Sequence, residues 1–182
     1  MVRLLEADPA QGLGLPLAVG GVTLSEVGLG PVWSIAPCRG QEAAVARSLG
    51  VVLLPAPALM EPIDGARLIW AGPGRALLVG RAAPEGLDGI AAVVEQGDGL
   101  VGLRLDGPAA RDVLARLVPL DLRDRMFPEG GTARTLLGPM SVTLLRSGAQ
   151  SYEVMGMRSM ARTLVHEIEG AMRGVAARAG AA

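Results

Sequence analysis

The glycine-rich stretch at 97–102 is the first feature of the sequence whose residue types and spacing could do chemistry. It reads Gly-Asp-Gly-Leu-Val-Gly, which matches the Gly-x-Gly-x-x-Gly pattern of dinucleotide-binding loops. That pattern holds a pyrophosphate when a strand precedes it and a helix follows, because the helix N-terminus then faces the phosphates. Here a strand-like run, Leu-Val-Gly-Leu-Arg-Leu at 100–105, follows instead. The sequence therefore does not predict a nucleotide at this loop.

The single cysteine and the single histidine of the chain offer no catalytic pair. Cys38 follows a predicted strand, and no histidine lies near it in sequence to act as a base. His166 lies on the polar side of the predicted last helix, and His-Glu-Ile-Glu at 166–169 is not the His-Glu-x-x-His pattern of a zinc site. We interpret Cys38 as a structural or incidental thiol and His166 as a solvated surface residue. One cysteine also excludes an internal disulfide.

Acidic residues are numerous, but none forms the pair that general acid–base catalysis needs. In the polar linker 119–132 three of them alternate with Arg123 and Arg125, namely Asp121, Asp124 and Glu129. Such a mixture is typical of solvated surface charge. Asp106 precedes a Gly-Pro pair and is predicted to shape a turn. No two carboxylates share an apolar setting that would make one an acid and the other a base, so no catalytic residue is predicted.

Length and charge exclude several classes of function. The 182 residues fit one domain, or two small halves that share a core. The 17 basic residues, all arginine, are balanced by 18 acidic ones, and 2% of the residues are aromatic. Neither a phosphate-neutralising patch nor a base-stacking platform is predicted, so nucleic acid is not an expected partner. No apolar run reaches the roughly 18 residues of a membrane span. Residues 1–9 lack the apolar core of a signal peptide, so we expect a cytoplasmic protein.

The composition does indicate a partner. Half of the residues are hydrophobic and 19% are charged, against about 25% charged in typical soluble domains. A chain with so little charge has difficulty covering its own surface, and large exposed apolar patches mark interaction sites. The alternative explanation of the low charge content is an Ala-, Gly- and Arg-rich composition that results from a GC-rich genome. Met155 and Met160 suit a core or an interface, and we assign Met157 to an interface because it lies between a strand and a predicted helix cap.

The elements that must position these residues begin with an irregular, extended arm at 1–21, where glycine and proline break any period. A single domain spans 22–175, and 176–182 is predicted to be a frayed tail. The first part of the domain is predicted to contain strands at 22–27 and 32–36, a helix at 41–49 capped by Gly50, a hairpin of 67–71 and 75–79 around Gly72-Pro73-Gly74, and a strand or helix at 89–94.

The second part is predicted to contain a strand at 100–105, a helix at 109–118, apolar runs at 133–137 and 142–145 hinged at Gly138-Pro139, a strand at 152–154, and a helix from 160 to about 175 capped by Ser159. At 100° per residue the apolar residues of each helix share one face. They are Ala110, Val113, Leu114 and Leu117 on the first, and Met160, Ala161, Leu164, Val165, Ile168 and Met172 on the last. Each helix should therefore pack one apolar stripe on a sheet.

The order of elements predicts an internal repeat. Strand, helix, loop and a hairpin around Gly-Pro occur at 32–79 and again at 100–145, with Gly72-Pro73 and Gly138-Pro139 in equivalent places. We therefore predict an α+β fold made of two similar strand-helix-strand-strand-helix halves, 22–95 and 96–175. Its sheets are expected to be rich in antiparallel pairs, with helices packed on one face.

Four stretches resemble the gamma subunit of heterotetrameric sarcosine oxidase. They are WAGPGRALLVG at 70–80, LRLDGPAARDVLARL at 103–117, TARTLLGPM at 132–140 and YEVMGMRSMARTLVHEIEGAM at 152–172. The most specific part is Met157-Arg158-Ser159 leading into Ala-Arg-Thr-Leu at 161–164. The portion 103–154 is also similar to the folate-binding domain of the glycine-cleavage aminomethyltransferases, which form a broader superfamily.

The resemblance implies an accessory, non-catalytic subunit in a complex of alpha, beta, gamma and delta chains that oxidatively demethylates sarcosine to glycine. The other products are hydrogen peroxide and formaldehyde, or methylenetetrahydrofolate when tetrahydrofolate is present. It also implies that FAD, FMN, NAD, tetrahydrofolate and zinc belong to the partner subunits, with none on this chain, and that the alpha subunit is its chief contact. We expect the partner interface to include Trp33, Trp70, Met157 and Arg158.

Departures from related families limit what the resemblance carries. The aminomethyltransferases have acidic residues shortly after the glycine that opens their hairpin, whereas this chain has Met-Ser-Val-Thr at 140–143, so folate catalysis is not carried over. Cys-Arg-Gly-Gln-Glu at 38–42 is similar to part of a motif of iron–sulfur cluster repair proteins but lacks its Lys and Tyr, and we treat it as coincidence. Two alternatives stay open: a free-standing tetrahydrofolate-binding C1-transfer protein, and a scaffold for another amine oxidase.

Overall fold

The computed structural model of the chain describes residues 7–180, so the first part of the predicted arm, 1–6, and the end of the predicted tail, 181–182, lie outside the described residues. Its strands are β1 (Leu17–Val19), β2 (Val22–Glu26), β3 (Val32–Pro37), β4 (Met60–Ile63), β5 (Ala66–Gly72), β6 (Arg75–Val79), β7 (Ala91–Glu95), β8 (Leu100–Asp106), β9 (Thr132–Leu137), β10 (Met140–Gly148) and β11 (Ser151–Met157). Its helices are α1 (Glu42–Leu49), α2 (Ala110–Leu114) and α3 (Ala161–Ala179), with short 3-10 turns at Gly97–Gly99 and Arg158–Met160.

The strands form two antiparallel sheets, which confirms the predicted α+β class. The six-stranded sheet has the order β1-β2-β8-β11-β10-β9, and the five-stranded sheet has the order β4-β5-β6-β3-β7. Neighbours within each sheet pair antiparallel. None of the helices within 7–180 is long and apolar enough to cross a membrane.

The two sheets stack face to face, and the helices cover their outer faces. One apolar cluster lies between the sheets and joins Val32, Ile69, Ala71, Leu77 and Val79 of the five-stranded sheet to Leu145 and Met155 of the six-stranded sheet. A second cluster packs α1 on the outer face of the five-stranded sheet. A third packs α2 and α3 on the outer face of the six-stranded sheet. Because both of its faces are covered, β6 is buried at four consecutive positions, 76–79.

Local sequence signals placed several elements correctly. Helix α1 ends where Gly50 takes a left-handed conformation with φ 80°, and the Gly50 N–H donates to the carbonyls of Ala46 and Arg47. Glycine adopts this conformation at little steric cost, so the predicted cap is confirmed. The hairpin of β5 and β6 around Gly72 is confirmed as well. The ambiguous stretch at 89–94 is a strand, β7.

The last helix differs from its prediction at both ends. Ser159 lies in the 3-10 turn, and α3 begins after Met160 without a side-chain cap, so the predicted Ser159 cap is wrong. Met160 is 42% exposed, whereas Ala161, Leu164, Val165, Ile168 and Met172 are buried as expected. The helix continues to Ala179, past the predicted end near 175. Its alanines continue the helix because alanine has the best helix propensity.

Helix α2 is shorter than predicted but buries the expected face. It covers Ala110–Leu114 rather than 109–118, and the chain then continues in turns. Ala110, Val113 and Leu114 are fully buried, while Arg111 and Asp112 are exposed. The predicted apolar face of the helix is therefore confirmed, and only its predicted length is wrong.

The predicted equivalence of the two Gly-Pro turns is wrong. Each half contains one strand, one helix and three further strands, as β3-α1-β4-β5-β6 and as β8-α2-β9-β10-β11, and in both the fourth strand lies beside the first. Gly72-Pro73 joins the third and fourth strands of its half, whereas Gly138-Pro139 joins the second and third. A final helix follows only the second half, since β7 follows the first. Turn residues fix the shape of a hairpin but not the place of its strands in a sheet.

The predicted arm contains a strand. Residues 17–19 form β1, which pairs with β2, and β2 in turn pairs with β8. Residues 7–16 before it are irregular, as expected, with turns at 9–12. The N-terminal segment therefore completes the edge of the six-stranded sheet.

Candidate functional site

A cleft of about 520 Å3 opens between the two sheets at one end of the stack. One wall is the five-stranded sheet, through Ala71, Arg75 and Leu77, and the opposite wall is the six-stranded sheet, through β9, β10 and β11. The connection from β7 to β8, residues 95–100, forms a third side. This volume lies within the range of about 300–1,000 Å3 that is typical of small-molecule sites.

The strand register explains the depth of the cleft. Arg134, Thr143, Met155 and Gly102 are successive cross-strand neighbours on β9, β10, β11 and β8. Met155 is 3% exposed and packs in the inter-sheet core, whereas Met157 is 59% exposed. Side chains two residues apart on a strand share a face. The cleft therefore runs along β11 from an exposed mouth at Met157 to a buried floor at Met155.

The glycine-rich stretch at 97–102 borders this cleft without forming a phosphate loop. Gly97–Gly99 make one 3-10 turn, and β8 begins at Leu100, so a strand follows the glycines as the sequence predicts. Gly102 lies within β8, where a β-carbon would come within 2.7 Å of the carbonyl oxygen of Val27. The last glycine is thus required by the close approach of Val27 to β8.

Glu153 is a buried carboxylate that the sequence did not reveal. Its side chain is 1% exposed and accepts a hydrogen bond from Arg104 Nη2 at 2.7 Å within the six-stranded sheet. It also forms an ion pair with Arg67 of the five-stranded sheet. Burial by itself would raise the pKa of Glu153, but the hydrogen bonds from Arg67 and Arg104 outweigh it and hold that pKa below its ordinary value. The carboxylate therefore stays ionised and links the two sheets.

Arg146 forms a second buried polar cluster, which holds the linker before β9. Its guanidinium donates to the carbonyls of Phe127 at 2.8 Å and Ala149 at 3.0 Å. It also pairs with Asp124 at 2.9 Å and lies 5.7 Å from the centre of the Tyr152 ring. Burial raises the pKa of Tyr152. These contacts give Asp124 a structural partner that sequence spacing could not identify.

The other sequence candidates lie apart from the cleft. Cys38 and His166 are exposed, and so are Asp121 and Glu129. Hydrogen bonds from the side chain and backbone of Arg123 lower the pKa of Asp121 to about 2, but this pair lies on the surface. Within residues 7–180 no group of three His, Cys, Asp or Glu side chains is arranged to hold a metal ion.

The four predicted interface residues fall on two separate surfaces. Trp33 and Trp70 alternate along their strands with Val32 and Ile69 of the inter-sheet core, so they lie on the α1 side of the five-stranded sheet. Both are partly exposed. Met157 and Arg158 lie at the end of β11, beside the cleft mouth, where the Arg158 side chain donates to the carbonyl of Ala7.

The buried and the exposed charges near the two sheets have different surroundings. The partners of Glu153 are arginines, which do not exchange protons at physiological pH, so the pair is structural. Four charged residues line the cleft and all are exposed: Arg75, Glu95, Asp98 and Arg134. None of them has an ion-pair partner within residues 7–180. This arrangement supplies polar contacts to a bound group.

The fold is that of the aminomethyltransferase class. A solved glycine cleavage system aminomethyltransferase T from Bartonella henselae matches with a TM-score of 0.57 and 19% identity, over 85% of this chain and 47% of that chain. At this identity the match shows the fold alone. No protein-family model matches the chain.

Closer relatives define the family. A solved heterotetrameric sarcosine oxidase from Corynebacterium sp. U-96, in complex with pyrrole 2-carboxylate, contains a chain that matches with a TM-score of 0.83 and 27% identity, over 95% of this chain and 97% of that one. Sarcosine oxidase subunit gamma of Corynebacterium sp. (strain U-96) is 32% identical over 162 residues, which cover 83% of this chain and 79% of the relative. The same subunit of strain P-1 is 30% identical over 183 residues, covering 91% and 89%. The chain belongs to the family of sarcosine oxidase gamma subunits.

Proposed function

We propose that this chain is an accessory, non-catalytic gamma subunit of a cytoplasmic heterotetrameric sarcosine oxidase. The complex would oxidatively demethylate sarcosine to glycine, with hydrogen peroxide and formaldehyde or methylenetetrahydrofolate as the other products. The observation that carries the proposal is the match along nearly the whole chain to one subunit of a solved sarcosine oxidase, with a TM-score of 0.83. The exposed apolar side chains agree with a surface that partners cover.

In this proposal the reactive groups belong to the other subunits. The alpha, beta and delta chains would carry FAD, FMN, NAD, tetrahydrofolate and zinc, and alpha would be the chief contact. This chain would supply docking surface, for which we retain Trp33, Trp70, Met157 and Arg158 as candidates. Its buried charges already have structural partners, since Glu153 binds two arginines and Arg146 binds three backbone carbonyls.

Co-purification tests the assignment. The tagged chain is expressed together with the neighbouring genes, and we expect large subunits with flavin absorbance to elute with it. The purified complex should form hydrogen peroxide when sarcosine is added, and dimethylglycine serves as the comparison substrate. A chain that elutes alone contradicts the proposal. A complex that prefers dimethylglycine corrects the substrate but keeps the accessory role.

A second candidate function is tetrahydrofolate binding by the chain itself. The observation that favours it is the cleft of about 520 Å3 in an aminomethyltransferase-like fold. Titration calorimetry of the isolated chain with tetrahydrofolate separates the two functions. Saturable binding of tetrahydrofolate with one site per chain supports the second function. If the chain has only the accessory role, we expect no heat of binding.

A further inference from the structure

The strand β7, Ala91–Glu95, is an edge of the five-stranded sheet whose one charged residue is Glu95, and it contains no proline and no bulge. Soluble proteins protect sheet edges with charge, proline, bulges, short strands or a covering segment. The other three edges of the two sheets have a different combination of such features. β1 is three residues long and β4 contains Glu61 and Pro62. β9 is covered where the Thr132 N–H donates to the carbonyl of Ala58 at 2.8 Å. β7 has the sequence Ala-Ala-Val-Val-Glu, pairs regularly with β3, and exposes 55% of Val94.

The hydrogen-bond register shows which backbone groups of β7 are free. The Gln96 N–H donates to the carbonyl of Val32, and the Cys38 N–H donates to the carbonyl of Ile90, both at 2.8 Å. Bonded pairs alternate along an antiparallel ladder, so Ala92 and Val94 are the residues of β7 that bond to β3. The N–H and C=O groups of Val93 and Glu95 therefore face away from the sheet. Within residues 7–180 they have no hydrogen-bond partner.

The edge strand and the turns that flank it in sequence carry charge of one sign, whereas the cleft that Glu95 and Asp98 also line contains Arg75 and Arg134. From 82 to 103 the sequence contains Glu85, Asp88, Glu95 and Asp98 and no basic residue. None of these four carboxylates has an ion-pair partner in the described part of the chain. An occupant that neutralises them carries arginine or lysine.

A second copy of the chain would bring like charges together in two of the antiparallel registers open to it, whereas in the register centred on Val94 each Glu95 faces Val93 of the other copy. If the pairing is centred on Val93, Asp98 of one copy faces Asp88 of the other. If it is centred on Glu95, the two Glu95 side chains face each other. Like charges directly opposite each other destabilise a strand pair.

We propose that β7 is the docking edge for an extended, basic segment of a larger subunit, which adds as a sixth strand beside Val93 and Glu95. This inference rests on the proposed function, since the larger subunit is a partner in the complex. Main-chain hydrogen bonds supply the affinity of such strand addition, and side-chain contacts supply its specificity. Asp88, Glu95 and Asp98 pair with the basic side chains of the segment. The surface continues across Gly97–Gly99 to the neighbouring turn Arg158–Met160, so it includes the cleft mouth.

The test measures recovery of the larger subunits by tagged variants in co-expression. Glu95→Pro removes one outward N–H without removing a bond to β3, and we expect recovery to fall about tenfold or more. Glu95→Gln removes the charge alone and should lower recovery less, most clearly at low salt. Val94→Lys introduces a like charge for a basic segment and should also lower recovery. Its matched control is Met126→Lys, because Met126 is 60% exposed and Val94 is 55% exposed.

Amide hydrogen exchange of the wild-type chain provides a readout that no substitution can perturb. We expect the amides of Val93 and Glu95 to exchange at least about tenfold more slowly in the intact complex than in the isolated chain, because new interstrand bonds protect them. The amides of β1 and β4 should exchange at the same rate in both.

Each contrary outcome is distinct. Unchanged protection of the Val93 and Glu95 amides, or full recovery by Glu95→Pro and Val94→Lys, overturns the docking edge and leaves the proposed function intact. Equal losses from Val94→Lys and Met126→Lys overturn its location. If the isolated wild-type chain dimerises in sedimentation and the Val94→Lys variant does not, a second copy of the chain occupies the edge. That result overturns the choice of a larger subunit as the occupant. A wild-type chain that recovers no larger subunit overturns both proposals.

Discussion

Arg67 of the five-stranded sheet donates a hydrogen bond to Glu153 of the six-stranded sheet, across the space between the two sheets. Arg104, a cross-strand neighbour of Glu153, supplies a second bond at 2.7 Å. Most contacts between the sheets are apolar, and apolar contacts tolerate sliding. A buried carboxylate held from both sheets has one position of low energy, because leaving it would expose an unpaired charge to the interior.

We expect Glu153→Gln to lower the free energy of unfolding at pH 7 by about 2–3 kcal/mol. The loss should be below that of a fully buried pair because the side chains of Arg67 and Arg104 are 24% and 40% exposed. The pKa of Glu153 is lowered from 4.5 in the fold. Its contribution is therefore present above pH 4.5 and is lost as the pH falls towards the lowered pKa. Urea unfolding at several pH values should show a flatter acid limb for Glu153→Gln than for the wild type.

Asp121→Asn is the matched control for this pH dependence. The pKa of Asp121 is also lowered, to about 2, but its partner Arg123 is on the surface two residues away. This surface ion pair does not connect two strands or helices, and solvent screens its charges. We therefore expect no measurable change in the free energy of unfolding at pH 7. Equal effects of the two substitutions would contradict the structural role of Glu153.

Arg146→Ala should lower the free energy of unfolding by about 2–4 kcal/mol. The substitution leaves the buried carbonyl of Phe127 without its donor, which is 2.8 Å away in the wild type, and removes the partner of Asp124. Arg146→Lys should recover only part of the loss, because an ammonium group does not reproduce the planar array of guanidinium donors. Denaturant unfolding checks both variants.

Arg125→Ala is the control for Arg146, since Arg125 is exposed in the same linker. We expect its free energy of unfolding to stay within about 0.5 kcal/mol of the wild type. If Arg146→Ala were as mild, the linker would not depend on this side chain.

Met157→Glu should reduce recovery of the larger subunits, whereas Met126→Glu should not. The two methionines are 59% and 60% exposed, so the substitutions cost the isolated chain similar amounts. They differ in location, because Met157 borders the cleft mouth and Met126 lies in the linker before β9. A charge buried at an interface without a partner weakens binding strongly.

Pull-down of co-expressed subunits measures this difference, and thermal unfolding of each variant confirms that both are folded. Equal recovery of the two variants would remove Met157 from the proposed interface. Trp33 and Trp70 lie on the other surface, beside α1. The same measurement on variants of these two residues tests whether that surface also binds the larger subunits.

Local features of the fold could be predicted from the sequence. The left-handed cap at Gly50 and the hairpin at Gly72 depend on residues a few positions apart, and both were found. The apolar stripe of α3 was also found, because a period of 3.6 residues is visible without tertiary information. The length of α2 could not be predicted in this way, because turns replace the last residues of the predicted helix.

Sheet order and polar pairing could not be predicted in this way. β2 pairs with β8, which is more than seventy residues later in the chain. Glu153 stands in an apolar strand, and its partner Arg67 lies 86 residues earlier, so no spacing rule connects them. Pairing at such distances is decided by the packing of whole sheets, which a single sequence does not display.

Gly107→Ala tests the contact between the end of β8 and the start of β2. Gly107 has φ +135°, and a β-carbon there would lie 2.1 Å from the carbonyl oxygen of Gly21. Backbone would have to move on both strands, so we expect the free energy of unfolding to fall by about 3 kcal/mol or more. Gly138→Ala is the control, because Gly138 has φ +56° and no atom lies within 4 Å of the position that an alanine methyl group would take there. It should cost only about 1 kcal/mol of left-handed strain. Denaturant unfolding of both variants gives the difference, and equal losses would mean that the close approach of Gly107 to Gly21 does not limit stability.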